Sequence, residues 1–142
     1  MEACSKSCVE ILKKQLKMLN GHTRFRALDV AGGDGRLCRK LLLKQYDTVD
    51  LFDQCALGVK KAKKALARHP KKGIITIATM QEFNWDQTYS AIYMVWVAGY
   101  LEVEVLTSFL QRAKAHLMTA DGPSRRKSKP GSFIFLLDNV LE

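Results

Sequence analysis

Residues 27–53, ALDVAGGDGRLCRKLLLKQYDTVDLFD, decide the fold. Arg26, Ala27, Leu28, Asp29 and Val30 read as a short apolar strand, and Ala31 to Gly35 as a glycine-rich turn in which missing Cβ atoms let backbone N–H groups approach a ligand. Arg36 opens a helix that runs to Tyr46. Thr48 to Asp53 is a second strand, apolar at Val49, Leu51 and Phe52, and it ends on an acidic residue 18 positions beyond Gly35. A carboxylate there can accept both hydroxyls of a ribose, so the stretch has the anatomy of a nucleotide-cofactor site.

Outward from this unit the chain alternates strand and helix. On the N-terminal side, Val9, Leu12, Leu16 and Leu19 recur at helical spacing, with Lys13, Lys14 and Lys17 on the other face. On the C-terminal side, Gly73 to Ala78, Tyr89 to Val97 and Ser132 to Leu137 are rich in β-branched or aromatic residues and read as strands three, four and five. Val103, Leu106, Phe109, Leu110, Ala113 and Leu117 mark an amphipathic helix closed by Asp121-Gly122-Pro123. Near-continuous apolar strands separated by helices indicate a parallel sheet covered on both faces. Right-handed crossovers then predict an α/β fold, doubly wound and mostly parallel, of order 3-2-1-4-5, with ligands at the carboxyl edge where the winding reverses. That edge gathers the turn Ala31 to Arg36, the pair Asp53-Gln54, the pair Met80-Gln81, the exit Trp96 to Tyr100, and the pair Asp138-Asn139.

Length, charge and cysteines set bounds. A chain of 142 residues, 47% hydrophobic, can bury one core but hardly two, so residues 1–142 are expected to form a single domain. No apolar run approaches the ~20 residues that span a bilayer. The start, Met1-Glu2-Ala3-Cys4, lacks the basic and apolar regions of a secretion signal, which leads us to expect a cytoplasmic protein. Cys4, Cys8, Cys38 and Cys55 have no Cys-x-x-Cys spacing, and His22, His69 and His116 lie far apart. They read as reduced packing cysteines and surface histidines, not as a metal site. Lys plus Arg outnumber acidic residues 23 to 14, a net +9. The excess clusters at Lys60, Lys61, Lys63, Lys64 and Arg68, and again at Arg125, Arg126, Lys127 and Lys129. Such clusters serve as solvated faces, as a nuclear address, or as sites for anionic partners.

The turn reads Asp-x-Ala-x-Gly-x-Gly from Asp29 to Gly35. NAD enzymes favour Gly-x-Gly-x-x-Gly, which lets a helix N-terminus hold a pyrophosphate. The spacing here resembles instead the first motif of S-adenosylmethionine-dependent methyltransferases, whose cofactor carries an amino-acid tail and no phosphate.

The resemblance narrows over the whole chain. Arg36-Leu37 through Leu41-Leu42-Leu43, Val49-Asp50-Leu51-Phe52-Asp53, Gln81-Glu82-Phe83, Trp96-Val97-Ala98-Gly99-Tyr100-Leu101, Phe109-Leu110 and Asp138-Asn139 resemble the protein N-terminal methyltransferases that act on Xaa-Pro-Lys/Arg termini. The resemblance implies S-adenosyl-L-methionine as cofactor, held by Ala31, Gly33, Gly35, Arg36, Asp53, Gln54, Met80 and Gln81. Arg36 would meet the carboxylate of the methionine moiety, Asp53 the ribose and Gln81 the adenine region. Trp96, Tyr100 and Asn139 would line the substrate channel, the Asn139 amide oxygen orienting the amine. Asp138 is the one carboxylate placed to accept the amine's proton or hydrogen bond, and with Asn139 forms the expected catalytic pair. An α-amine has a pKa near ~8, so such modest assistance suffices.

The chain departs from the family pattern at several points. Tyr100 stands where the family has histidine, and Ala31 where it has the first glycine of the turn. The segment Gly122 to Pro130 is longer and more basic than the family's. The acidic cluster beyond the Asp-Asn pair, two last strands and the leading helices have no counterpart, so the domain reads as incomplete at its C-terminus. Strand five, Phe133 to Leu137, would then be an apolar edge open to self-association or a partner. Two other functions compete: a non-catalytic short form or cofactor-binding partner protein, and a nucleic-acid methyltransferase suited to the +9 charge. The latter's Asn/Asp-Pro-Pro-aromatic and Pro-Cys motifs are missing, so neither nucleic acid nor membrane is expected as a partner.

Overall fold

The computed structural model describes residues 2–18, 24–118 and 131–138. Leu19, His22, Asn139 and the segment 119–130, with Asp121, Arg125, Arg126, Lys127 and Lys129, lie outside the described residues. The chain runs α1 (Glu2–Met18), β1 (Arg26–Val30), a π-helical turn (Cys38–Leu42) continuing into α2 (Leu43–Gln45), β2 (Thr48–Asp53), α3 (Ala56–Leu66), β3 (Lys72–Ile77), β4 (Ala91–Val95), a 3-10 turn (Ala98–Tyr100), α4 (Val103–Ala115) and β5 (Phe133–Leu137). All five strands pair in parallel in one sheet of order β3-β2-β1-β4-β5, the order expected from the sequence.

The period-2 alternation of the strands divides the core into two layers. Ala27, Val49, Leu51, Ala91 and Tyr93 face α1, the helix after the glycine turn, and α3, where they meet Leu12, Leu16, Leu41, Leu42, Ala62 and Leu66. Leu28, Val30, Phe52, Ile92 and Met94 face the other way, onto Phe83, Tyr89 and the α4 residues Phe109 and Ala113. Phe109 is fully buried and tilts against Phe52 and Trp85, a burial that contributes ~2–3 kcal/mol.

Four local features differ from the sequence reading. The fourth strand is shorter than Tyr89 to Val97, because Trp96 takes φ +56 and turns the chain out of the sheet. Its predicted start, Tyr89, makes only an isolated bridge to Leu117. That bridge takes Leu117 out of α4, which stops at Ala115. The helix after the glycine turn carries a π turn, and Leu41, Leu42 and Leu43 are all buried because the helix packs against both the sheet and α1.

A buried ion pair fixes the amino edge of the sheet. Arg26 Nε and Nη2 donate to Asp50 Oδ2 and Oδ1 at 2.9 and 2.8 Å, the Tyr89 hydroxyl donates to Oδ2 at 2.8 Å, and the Ile74 N–H donates to Oδ1 at 2.7 Å. Asp50 is 2% exposed and its charge is met on every side, the condition under which a buried carboxylate is tolerated. A Cβ on Gly73 would lie 2.0 Å from Asp50 Oδ1, so only glycine fits beside it.

Candidate active site

The glycine turn leaves β1 at the carboxyl edge through three residues with positive φ: Ala31 at +52, Gly33 at +57 and Gly35 at +82. Glycine adopts this region freely, whereas alanine does so at a cost of ~1–2 kcal/mol. Ala31 therefore keeps the turn geometry at an energetic cost. The turn is held from two sides. The Gly32 N–H donates to the Phe52 carbonyl at 3.1 Å, and the Gly33 N–H to Asp53 Oδ2 at 2.9 Å. Asp53 Oδ1 accepts the Cys55 N–H at 2.8 Å, so its carboxylate ties β2 to the turn while each oxygen keeps a further lone pair for a ligand. Asp34 Oδ1 accepts the Arg36 N–H at 3.2 Å and caps the helix that follows.

Beside the turn lies a cavity of about 160 Å³ between α1, the ends of β1 and β4, and the start of the helix. Cys8, Asp29, Ala31, Arg36, Val95 and Trp96 are among its lining residues. Asp29 is 3% exposed, and its Oδ2 is buried with no hydrogen-bond partner among the described residues. Burial pushes its carboxyl up to about 7, the nearby Asp53 charge adds to the rise, and the Cys38 backbone N–H opposes it. A buried acceptor left unpaired costs ~1–3 kcal/mol, which a ligand cation would recover. A carboxylate and a guanidinium on one small cavity suit a zwitterion, ammonium toward Asp29 and carboxylate toward Arg36. Such a zwitterion is the amino-acid tail of S-adenosylmethionine, and the residues present fit it.

The other sequence-predicted residues fall as follows. Gln54 is exposed at the end of β2. Met80 packs in the core at 7% exposure, so its backbone alone reaches the edge. Gln81 is exposed, and Arg112 of α4 braces this exit by donating to the Met80 and Gln81 carbonyls at 3.1 and 3.2 Å. Trp96 lines the cavity, and its N–H donates to the Leu137 carbonyl at 2.7 Å. Tyr100 is 88% exposed, outside the cavity lining. Asp138 accepts the Gly99 N–H. The structure thus brings Ala31, Arg36 and Trp96 onto one cavity and gathers Gly33, Asp53 and Gln54 beside it. The sequence reading missed Asp29 as a site residue and missed the α1 wall at Cys8 and Val9. The signal for Asp29 was an acid between Leu28 and Val30 in the middle of a fully buried strand.

Residues 3–123 match a family described as AdoMet dependent proline di-methyltransferases. The chain belongs to this family. It is 36% identical over 118 residues to the N-terminal Xaa-Pro-Lys N-methyltransferase 1-B of Xenopus laevis, an alignment covering 82% of this chain and 48% of that protein. It is 32% identical over 139 residues to the alpha N-terminal protein methyltransferase 1 of Caenorhabditis elegans, covering 97% and 53%. The solved structure of a SAM-dependent methyltransferase from Leishmania major superposes with a TM-score of 0.78 at 31% identity, covering 86% of this chain and 49% of that one. The chain spans about half the length of the curated relatives it matches. Within the family, the match takes in the turn, the cavity and the β4 exit.

Proposed function

We propose that this protein uses S-adenosyl-L-methionine to methylate the α-amino group of protein N-termini of the Xaa-Pro-Lys/Arg type. The observation that carries the cofactor half of the reading is the unpartnered Asp29 Oδ2 facing the same cavity as Arg36. The substrate half rests on the names of the relatives, which act on Xaa-Pro-Lys termini.

When bound, the cofactor supplies an electrophilic methyl group on a sulfonium. The chain's own residues do the rest. Asp29 and Arg36 hold the zwitterionic tail, and Asp53 presents its remaining lone pairs at the end of β2, where a ribose would sit. Trp96 forms one wall of the cavity. Positioning of this kind supplies most of the acceleration in a transfer that needs little acid–base help. We further propose that the protein works in the cytoplasm with access to the nucleus; the free thiols Cys38 and Cys55 and the basic clusters support this.

Isothermal titration with S-adenosylhomocysteine, followed by incubation with S-adenosylmethionine and an Xaa-Pro-Lys peptide, tests both halves. Binding and a methyl group localised by mass spectrometry to the α-amine are the expected results. Binding without transfer would leave a cofactor-binding partner protein, and a methyl group on a nucleobase or lysine side chain would overturn the specificity.

A further inference from the structure

The turn that follows β4 is held in an unfavourable conformation by the end of β5. Trp96 takes φ +56, where a bulky aromatic residue is an outlier that persists only if its surroundings impose it. Two contacts do so. The Trp96 N–H donates to the Leu137 carbonyl, and three residues on, the Gly99 N–H donates to the Asp138 carboxylate. The approach at Gly99 is close: a Cβ there would lie 3.1 Å from Asp138 Oδ2 and 3.4 Å from Oδ1. Neither Leu137 nor Asp138 is among the residues lining the cavity, whereas Trp96 is.

We propose that Asp138 is a positioning residue, a latch that fixes the Ala98–Tyr100 turn through the Gly99 N–H and thereby sets Trp96 as a wall of the cofactor cavity. A carboxylate that accepts a backbone N–H is doing the work of a strong acceptor. The latch needs the acceptor oxygen; a proton-accepting base would need the charge. Asparagine keeps the first and lacks the second, so the two roles part on that substitution. The proposal rests on the cofactor reading only for the identity of the ligand, because the order of the turn can be read without one.

The experiment uses the full chain carrying Trp85→Phe, which leaves Trp96 as the sole tryptophan. Acrylamide quenching of Trp96 without ligand reports the turn, and calorimetric titration with S-adenosylhomocysteine reports the cavity. Asp138→Ala should raise the quenching constant about threefold and weaken the nucleoside by about tenfold, the scale of one charge-assisted hydrogen bond. Asp138→Asn should stay within about twofold in both. Gly99→Ala acts on the same contact from the donor side and should mimic Asp138→Ala, with the double variant no worse than either single one. It also keeps the test open should Asp138→Ala fail to fold. Equal effects of Asn and Ala, or additive effects of the Gly99 and Asp138 changes, would overturn the latch. Failure of the parent protein to bind the nucleoside would count against the cofactor reading alone, since the quenching arm still decides the latch.

Discussion

The backbone N–H of Gly33 donates to Oδ2 of Asp53 at 2.9 Å, so the residue at the end of β2 builds the turn beside which it would bind a ribose. Asp53→Ala should therefore fail twice, leaving a turn donor unpaired and a ribose without its acceptor. A ligand at 100 times its Kd adds ~2.7 kcal/mol of stability. Thermal melts with S-adenosylhomocysteine should show that gain in the parent and lose most of it in Asp53→Ala. An unchanged gain would remove Asp53 from the site.

Asp29 gives the site a pH dependence whose two parts have opposite sign. Its carboxyl is raised from 3.8 to about 7 in the fold, so the stability it contributes is fully present below the unfolded value and is lost as pH rises through about 7. Each pH unit in that window costs ~1.4 kcal/mol. Ligand binding runs the other way: an ammonium group favours the ionised form, so affinity for S-adenosylhomocysteine should climb from pH 5 to about 7 and level off above it. Asp29→Asn should stabilise the ligand-free protein at pH 8 in urea melts and abolish tight binding in calorimetry. A variant that still binds tightly would show that the tail does not engage this carboxylate.

Ala31→Gly offers a stabilising change. With φ at +52 the alanine Cβ costs ~1–2 kcal/mol, part of which returns as extra freedom of glycine in the unfolded chain. A net gain of ~0.5–1 kcal/mol in urea melts is expected, with cofactor affinity unchanged or improved.

At the opposite edge, Gly73→Ala should be among the most damaging single changes, since its Cβ would collide with the Asp50 oxygen and break the Arg26 pair. Breaking a buried pair costs ~3–5 kcal/mol. Tyr89→Phe removes one donor of several and should cost ~1–2 kcal/mol. Chemical denaturation that ranked the two the other way would refute the steric argument.

The strands were legible because each is a run of apolar residues facing two covered layers, and their order followed from crossover handedness. What sequence left hidden depends on backbone conformation. Nothing in Tyr93-Met94-Val95-Trp96-Val97 signals that the strand stops at Val95, since the cause is a strained Trp96 held by Leu137 across the sheet. Met80 and Gln81 are neighbours at one edge, yet the turn that follows β3 sets the Met80 side chain into the core and leaves Gln81 outside. Asp29 read as the first letter of a motif; that it is the cavity's buried, unpartnered acid is visible only in three dimensions.

The π turn at Cys38–Leu42 sets the helix in two phases. Upstream of it, Arg36 lines the cavity; within it and beyond, Leu41, Leu42, Leu43 and Tyr46 pack in the core. The wide turn takes up one residue more than an α-helical turn does, so winding the same residues as regular α-helix would turn one half against the other by most of one step of about 100°. The core, with more apolar contact at stake, would keep its half in place, and the guanidinium would swing away from Asp29. The winding of this helix is therefore under the same constraint as the identity of Arg36: a variant that spares every site residue but regularises the turn would still disarm the site.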